Sequence, residues 1–335
     1  MAVNDPQSRI EALLIMAEAS FKAEFLAALK VIERSIDLGA LAELLEQGRF
    51  TEAFAIVGQA AGRLGSVWAA QFVAAGIDTG NFLTTEVAEV VIGFDQTNTR
   101  AVQAMRDNQL RLVTNFTEQQ RRATQQALIA GIQEGKNPRE IARIFRNSIG
   151  LTQQQERWVR NYERALKNLD RASLARELRD RRFDPTVRQA IDRGEPLTKA
   201  QIDKMVESYH RRALKLRAET IARTEGLRVV HEGTDEMYQQ AIESGQLQRD
   251  QLTRTWNTAG DERVRDFGNG APTSHVTMNR QSRFVGEPFV SGAGNLTLHP
   301  GAFGVGFEDI NCRCLVTTRI LKLSEITGVA AAFAF

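Results

Sequence analysis

The stretch whose reading decides the fold runs from Trp256 to Cys314. It comprises WNTAGDERVRD over Trp256–Asp266, HVTMN over His275–Asn279, EPF over Glu287–Phe289 and NCRC over Asn311–Cys314. Glycine, proline, asparagine and aromatic residues crowd here, and both cysteines of the chain fall within three positions. Such punctuation interrupts helical periodicity and specifies turns and short strands. Arg254–Trp256, Phe284–Val290 and the β-branched run Cys314–Ile320 read as those strands.

Upstream of this stretch the sequence reads as helix after helix. Asn4, Asp5 and Pro6 supply a cap and a first-turn proline. Ile10, Leu13, Leu14, Ala17, Phe21, Phe25 and Leu29 then form one apolar stripe at helical spacing, ending at Asp37–Gly39. A shorter helix is expected over Ala40–Gln47, and another from Thr51 through Trp68 to about Ala75. Residues 76–100, with Gly76, Gly80 and Gly93, read as looser. A long polar helix follows over Thr99–Glu134. Asn137 with Pro138, Thr152, and Thr198 with Gln201 each open a further helix. The fold class is therefore α+β: predominantly helical N-terminal and middle regions with a small loop-rich α+β C-terminal unit. The expected blocks are a helical region over 1–93, a long-helix region over 94–220, the α+β unit over 221–322 and an apolar tail over 323–335.

Composition narrows the function classes. With 42% hydrophobic and 25% charged residues in 335, the chain can bury a core and is not disordered. A net charge of +2 excludes a protein that is basic over its whole surface. No run reaches the roughly 18–20 apolar residues of a membrane span. Met1–Arg9 lacks the basic and apolar segments of a signal peptide. Two cysteines do not make a secreted disulfide scaffold, so synthesis in a reducing cytoplasm is expected.

Several residues are candidates for the working parts. Arg223 and Glu225 lie two apart on a helix and face different sides, so each is expected to reach its own partner among Asp261, Arg263 and Arg265. In an extended segment those three share one face, and the arginine fork suits a Glu225–Arg263 pair. Trp256 is expected to fill a small core. The other use of Glu225 is as a general base of a hydrolase or transferase together with His275. Cys312 and Cys314 share a face if extended. Joined by His275 and His299 they give the four donors of a tetrahedral structural zinc site; otherwise they are reduced, half-buried thiols. His210 and His231 read as surface residues. Arg171, Arg176, Arg179, Arg181 and Arg182, opposed only by Glu177 and Asp180, are either a solvated helical face or a contact for DNA phosphates or an acidic partner.

Taken in order, these elements resemble the phage head morphogenesis family, the Mu F-like minor head proteins of tailed bacteriophages. The likeness begins near Phe94 and includes Ile149–Thr152, Asn161–Tyr162 and Gln201–Val206. It continues through Arg217–Glu225, Trp256, Asp261–Arg265, His275 and Asn311–Cys314. One departure is an apparent insertion, Phe267–Ser274, ahead of His275. The resemblance implies a virion component near the portal vertex of the phage head, made in the host cytoplasm and affecting head assembly, DNA packaging or DNA delivery. Its implied partners are the portal protein, other head proteins and the packaged DNA, with no small-molecule substrate and no catalysis. Residues 1–93 would be the candidate for portal or capsid contact.

Overall fold

The computed structural model describes residues 5–49, 52, 61–87 and 91–321. The apolar tail and most of the expected helix start after Thr51 lie outside them. The chain divides into two compact units, each assembled from separated stretches: one from 1–23, 65–109 and 220–335, the other from 24–64 and 110–219. The consecutive blocks read from the sequence do not map onto these units. The physical reason is that amphipathic helices distant in sequence bury their stripes against one another.

Helices α1 (Pro6–Ser35), α2 (Leu38–Glu46), α3 (Ala61–Glu86) and α4 (Thr99–Gln133) are followed by α5 (Pro138–Ser148), α6 (Gln153–Lys167), α7 (Asp184–Arg193) and the 45-residue α8 (Lys199–Glu243). Local chemistry sets most of these boundaries. α1 ends at Ser35, and Asp37 in the break that follows caps α2, accepting from the backbone N–H groups of Gly39 and Ala40. Asn137 with Glu140 and Thr152 with Gln155 form reciprocal capping boxes at the starts of α5 and α6. Thr198 and Gln201 do the same for α8, which stops at Gly245 with φ +74°.

In the unit built from 24–64 and 110–219, Tyr162 and Tyr209 stack at 4.5 Å within a cluster that includes Leu166, Val187 and Met205. Arg217 is buried between Phe25 and Phe116 and donates to the Gly150 carbonyl at 2.7 Å. The basic run around Arg171–Arg182 is not one helical face. It forms two short 3-10 turns, Arg171–Ala175 and Arg181–Phe183, because Asp170 and Asp180 each turn back to cap the backbone two residues on.

In the other unit, α3 continues to Glu86, past Gly76 and Gly80, which read as part of a looser segment. Those glycines make room for other parts of the chain. A Cβ on Gly76 would meet the Phe94 ring at 2.5 Å, and one on Gly80 would meet the Ile92 carbonyl oxygen at 2.8 Å. Gly233 of α8 lies against α3 so closely that a Cβ would come within 2.4 Å of the Phe72 carbonyl oxygen. Beyond α8, strands β1 (Leu252–Asn257), β2 (Ser282–Phe284) and β5 (Leu315–Ile320) form an antiparallel sheet in the order β2-β1-β5, with Trp256 opposite Val316 and Thr255 opposite Ser282. Strands β3 (Phe289–Val290) and β4 (Leu296–Thr297) make a separate two-stranded ladder, and α9 (Gly306–Asp309) is a single turn. Leu252, Arg254 and Trp256 alternate inward along β1. Arg254 is 1% exposed and pairs with Asp235 of α8 at 3.0 Å.

His231, expected on the surface, is buried, and it stacks on His299 at 5.8 Å. Burial keeps both imidazoles neutral, lowering His299 to about 3 and His231 well below 6.5. The unfolded chain takes up these protons near pH 6.5 and the folded chain does not, so the histidine contribution is complete above that pH and lost as pH falls. Asp235 and Glu156, which burial raises to about 6 and about 7, act in the opposite sense below those values. The histidine pair is therefore expected to lower the melting temperature between pH 7 and pH 5. His231→Phe is expected to flatten that dependence, and an unchanged slope in thermal melts contradicts this account. Gly233→Ala is expected to destabilise by about 2 kcal/mol or more, since backbone must move to admit the methyl; denaturant titration reads the loss.

Candidate metal centre

The cysteines are placed by a clamp on the segment that precedes β5. Asn311 adopts φ +58°, and the Cys312 N–H donates to the Asp309 carbonyl at 3.1 Å. Three residues from the sequence motifs hold this segment. The Asn311 N–H donates to the Thr224 hydroxyl at 3.1 Å, the Arg265 guanidinium donates to the Ile310 carbonyl, and Arg313 pairs with Asp261. His275 comes from the loop between β1 and β2. Its N–H donates to the Arg265 carbonyl at 2.8 Å, and the same loop is clipped to β1 where the Arg280 N–H meets the Trp256 carbonyl at 2.7 Å.

These two segments bring His275, Cys312 and Cys314 together with their donor atoms all within 4.8 Å of one another. The imidazole Nδ1 stands 3.5 Å from the Cys312 sulfur and 3.6 Å from the Cys314 sulfur. A tetrahedral zinc with Zn–S near 2.3 Å and Zn–N near 2.0–2.1 Å places neighbouring S and N donors about 3.5–3.6 Å apart. Both sulfur–nitrogen distances thus match the spacing that one small cation requires.

The other imidazole nitrogen supports this arrangement. Nε2 lies 2.7 Å from Glu308 of α9, whose carboxylate also accepts from the Ser291 hydroxyl at 2.8 Å and the Asn295 amide at 2.9 Å. Burial alone would raise the Glu308 carboxyl; these donors hold it below its ordinary value. An ionised carboxylate can only accept, so Nε2 carries the proton and the Nδ1 lone pair faces the two sulfurs. This carboxylate–histidine relay orients a metal-binding imidazole and raises its basicity. Aromatic rings wall the site: Phe303 stacks on His275 at 5.6 Å and Trp256 meets it edge-on at 5.9 Å. His275 and Cys312 are each 1% exposed, Cys314 2% and Glu308 0%.

Without a cation, protons mediate the same contacts. The Cys312 thiol is pulled well down by the Cys314 S–H and by His275, while Cys314 is pushed up by the neighbouring Cys312 sulfur and by burial. Burial disfavours the charged imidazole, but Cys312 and Glu308 outweigh it and raise His275 above 6.5. The Trp256 indole N–H forms no hydrogen bond of ordinary geometry; its nearness to the Cys314 sulfur opposes the rise of that thiol.

Other expected residues lie elsewhere. His299 does not join the cluster: its Nδ1 lies 3.1 Å from the Pro300 carbonyl and its ring stacks on His231. Arg223 reaches back to Glu18 of α1 at 3.5 Å rather than forward to the loops. Arg263 stays at the surface beside Asp261 at 3.6 Å, and Asp261 takes Arg313 as its closer partner. Asp261, Arg263 and Arg265 lie in a turn, because Asp261 caps the Arg263 N–H at 3.2 Å, and do not form an extended face. Glu225 is buried on α8, and the side-chain partners of His275 are Glu308 and the two cysteines. In the basic run, Arg179 pairs with Asp184 at 3.0 Å, Arg182 with Asp180 at 2.7 Å and Arg171 with Asp192 at 3.5 Å, while Arg181 is exposed and Arg176 is half-buried. The sequence reading missed Glu308, Ser291, Asn295 and Thr224. Thr224 lay inside a recognised motif, but nothing in the local spacing marked the other three.

Compared with family models, curated proteins and solved structures, the chain matches none.

Glu308→Gln keeps the shape of the relay but removes its charge. It is expected to weaken zinc binding about 10–100-fold in competition with a chromophoric chelator, while Cys312→Ser has a larger effect. Equal affinities for Glu308→Gln and the parent chain contradict the relay.

Proposed function

We propose that this chain is a minor head protein of a tailed bacteriophage, a structural and morphogenetic component acting near the portal vertex through its surfaces. Its C-terminal unit is braced by a structural zinc ion on His275, Cys312 and Cys314. The observation that carries this reading is the convergence of the motif residues. Thr224, Trp256, Asp261, Arg265, His275 and Asn311 all contact the segment around Cys312 and Cys314 or one another. In the resemblance these motifs were only an ordered series. Their mutual contacts give the order a physical purpose: holding together loops that have little core of their own.

The reading as a brace is supported by burial. A substrate has no route to donors that are at most 2% exposed, whereas a structural ion gains from a dry, rigid shell. When bound, zinc would supply coordination bonds joining the β1–β2 loop to the start of β5. The protein's own residues orient the donors, exclude water and hold the Nε2 proton on the Glu308 side. The portal protein, other head proteins and packaged DNA are the proposed partners, and the phage head is the proposed location.

Two measurements test this. Mass spectrometry of purified particles, with co-purification of the full chain and the portal protein of the same phage, is expected to find the chain in both. Absence from particles and from portal complexes overturns the head-protein reading. Metal analysis of protein purified without chelator is expected to give close to one zinc per chain, lost in a Cys312→Ser, Cys314→Ser double variant. Metal-free fresh protein overturns the brace.

A further inference from the structure

The near-neutral total charge conceals two opposite parts. Residues 110–219 hold 24 Lys and Arg against 14 Asp and Glu, a net of +10, and the rest of the chain carries −8. Much of that positive charge is compensated within its own unit: Asp180 alone faces Arg182 and Arg212, and Asp184 faces Arg179. This includes most of the arginine run that the sequence made conspicuous.

α5 differs. Arg139, Arg143 and Arg146 recur at i, i+4 and i+7, so they form one row on the side opposite the buried Ile141, Ala142 and Phe145. Arg139 and Arg143 are exposed and Arg146 is half-exposed. Among the described residues none of the three has a carboxylate oxygen within 4.0 Å. α6 repeats the pattern with Arg157, Arg160, Arg164 and Lys167, of which Arg160 and Lys167 are tied to Glu156 and Glu163 one turn before them. Like charges in a row repel one another, and a polyanion relieves that repulsion.

We propose that the basic faces of α5 and α6 bind the phosphate backbone of duplex DNA without reading its sequence. Of the 24 cations in this segment, 19 are arginine, whose planar fork matches phosphate oxygens. Arg139 to Arg146 cover about 10 Å of helix, a length over which one DNA strand presents about three phosphates. A single strand would call for exposed aromatic rings to stack its bases. Here Trp158 and Phe183 are half-buried and Tyr162 and Tyr209 are buried. A membrane surface would call for a free apolar helix face, and that face of α5 is buried in its own unit. The proposal rests on charge and ion pairing and does not require the head-protein reading.

The test is fluorescence anisotropy of a labelled mixed-sequence duplex with the full chain across a salt series. Binding is expected at about 50 mM salt, with log K falling linearly in log salt. The triple variant Arg139→Gln, Arg143→Gln, Arg146→Gln is expected to bind at least about tenfold more weakly, with a salt slope reduced by about 3, one per lost phosphate contact. Arg263→Gln, in the other unit, is expected to bind like the parent. Circular dichroism of each variant establishes that the fold is retained. Absence of binding at low salt, undiminished binding by the folded triple variant, or binding to anionic phospholipid vesicles in preference to DNA overturns the proposal.

Discussion

The buried hydrogen bond between His275 and Glu308 is the constraint on which the C-terminal unit depends. A carboxylate at 0% exposure is costly to bury unless its lone pairs are satisfied, and Ser291, Asn295 and His275 satisfy it together. Those three donors come from the β3–β4 connection and from the loop after β1. One group on a four-residue turn thus fixes two otherwise independent loops. The same bond sets the imidazole tautomer and turns Nδ1 toward the sulfurs. A sheet with strands of six, three and six residues has little apolar area with which to hold such loops. A cation bound by His275, Cys312 and Cys314 would add constraint there.

The long helix provides the platform. α8 carries Thr224, which receives the Asn311 N–H, Arg228, which pairs with Asp309 at 3.5 Å, and Asp235, which meets the buried Arg254. Its glycines are spacers within the same unit: a Cβ on Gly226 would press on the Glu18 backbone of α1, and one on Gly233 on Phe72 of α3. Close helix approach, a polar rail along one side and a clamped Cys-Arg-Cys segment are therefore parts of one arrangement.

Much of the helical architecture was legible because its signals are local. The pairs Asn137–Glu140, Thr152–Gln155 and Thr198–Gln201 mark helix starts through reciprocal side-chain and backbone bonds that need no distant partner. The strands at Trp256 and before Ile320 were legible from β-branched and aromatic residues flanked by turns. The extension of α3 was not, since Gly76 reads as a breaker until Phe94 is known to sit on it. Nor was the burial of His231, which depends on His299 arriving from a distant loop. In the site, His275 and the two cysteines were legible as donor types. Glu308 was not, because a carboxylate that acts through a histidine has no characteristic spacing from it. The arginine run misled for a related reason: a sequence shows charges but not which of them Asp180 and Asp184 neutralise.

The central claim is that one cation holds His275, Cys312 and Cys314 together. X-ray absorption at the zinc edge, on the full chain purified without chelator, tests it most directly. The account predicts a first shell with two sulfurs near about 2.3 Å and at least one imidazole nitrogen near about 2.0 Å. A shell made only of nitrogen and oxygen, or no bound zinc, would contradict it.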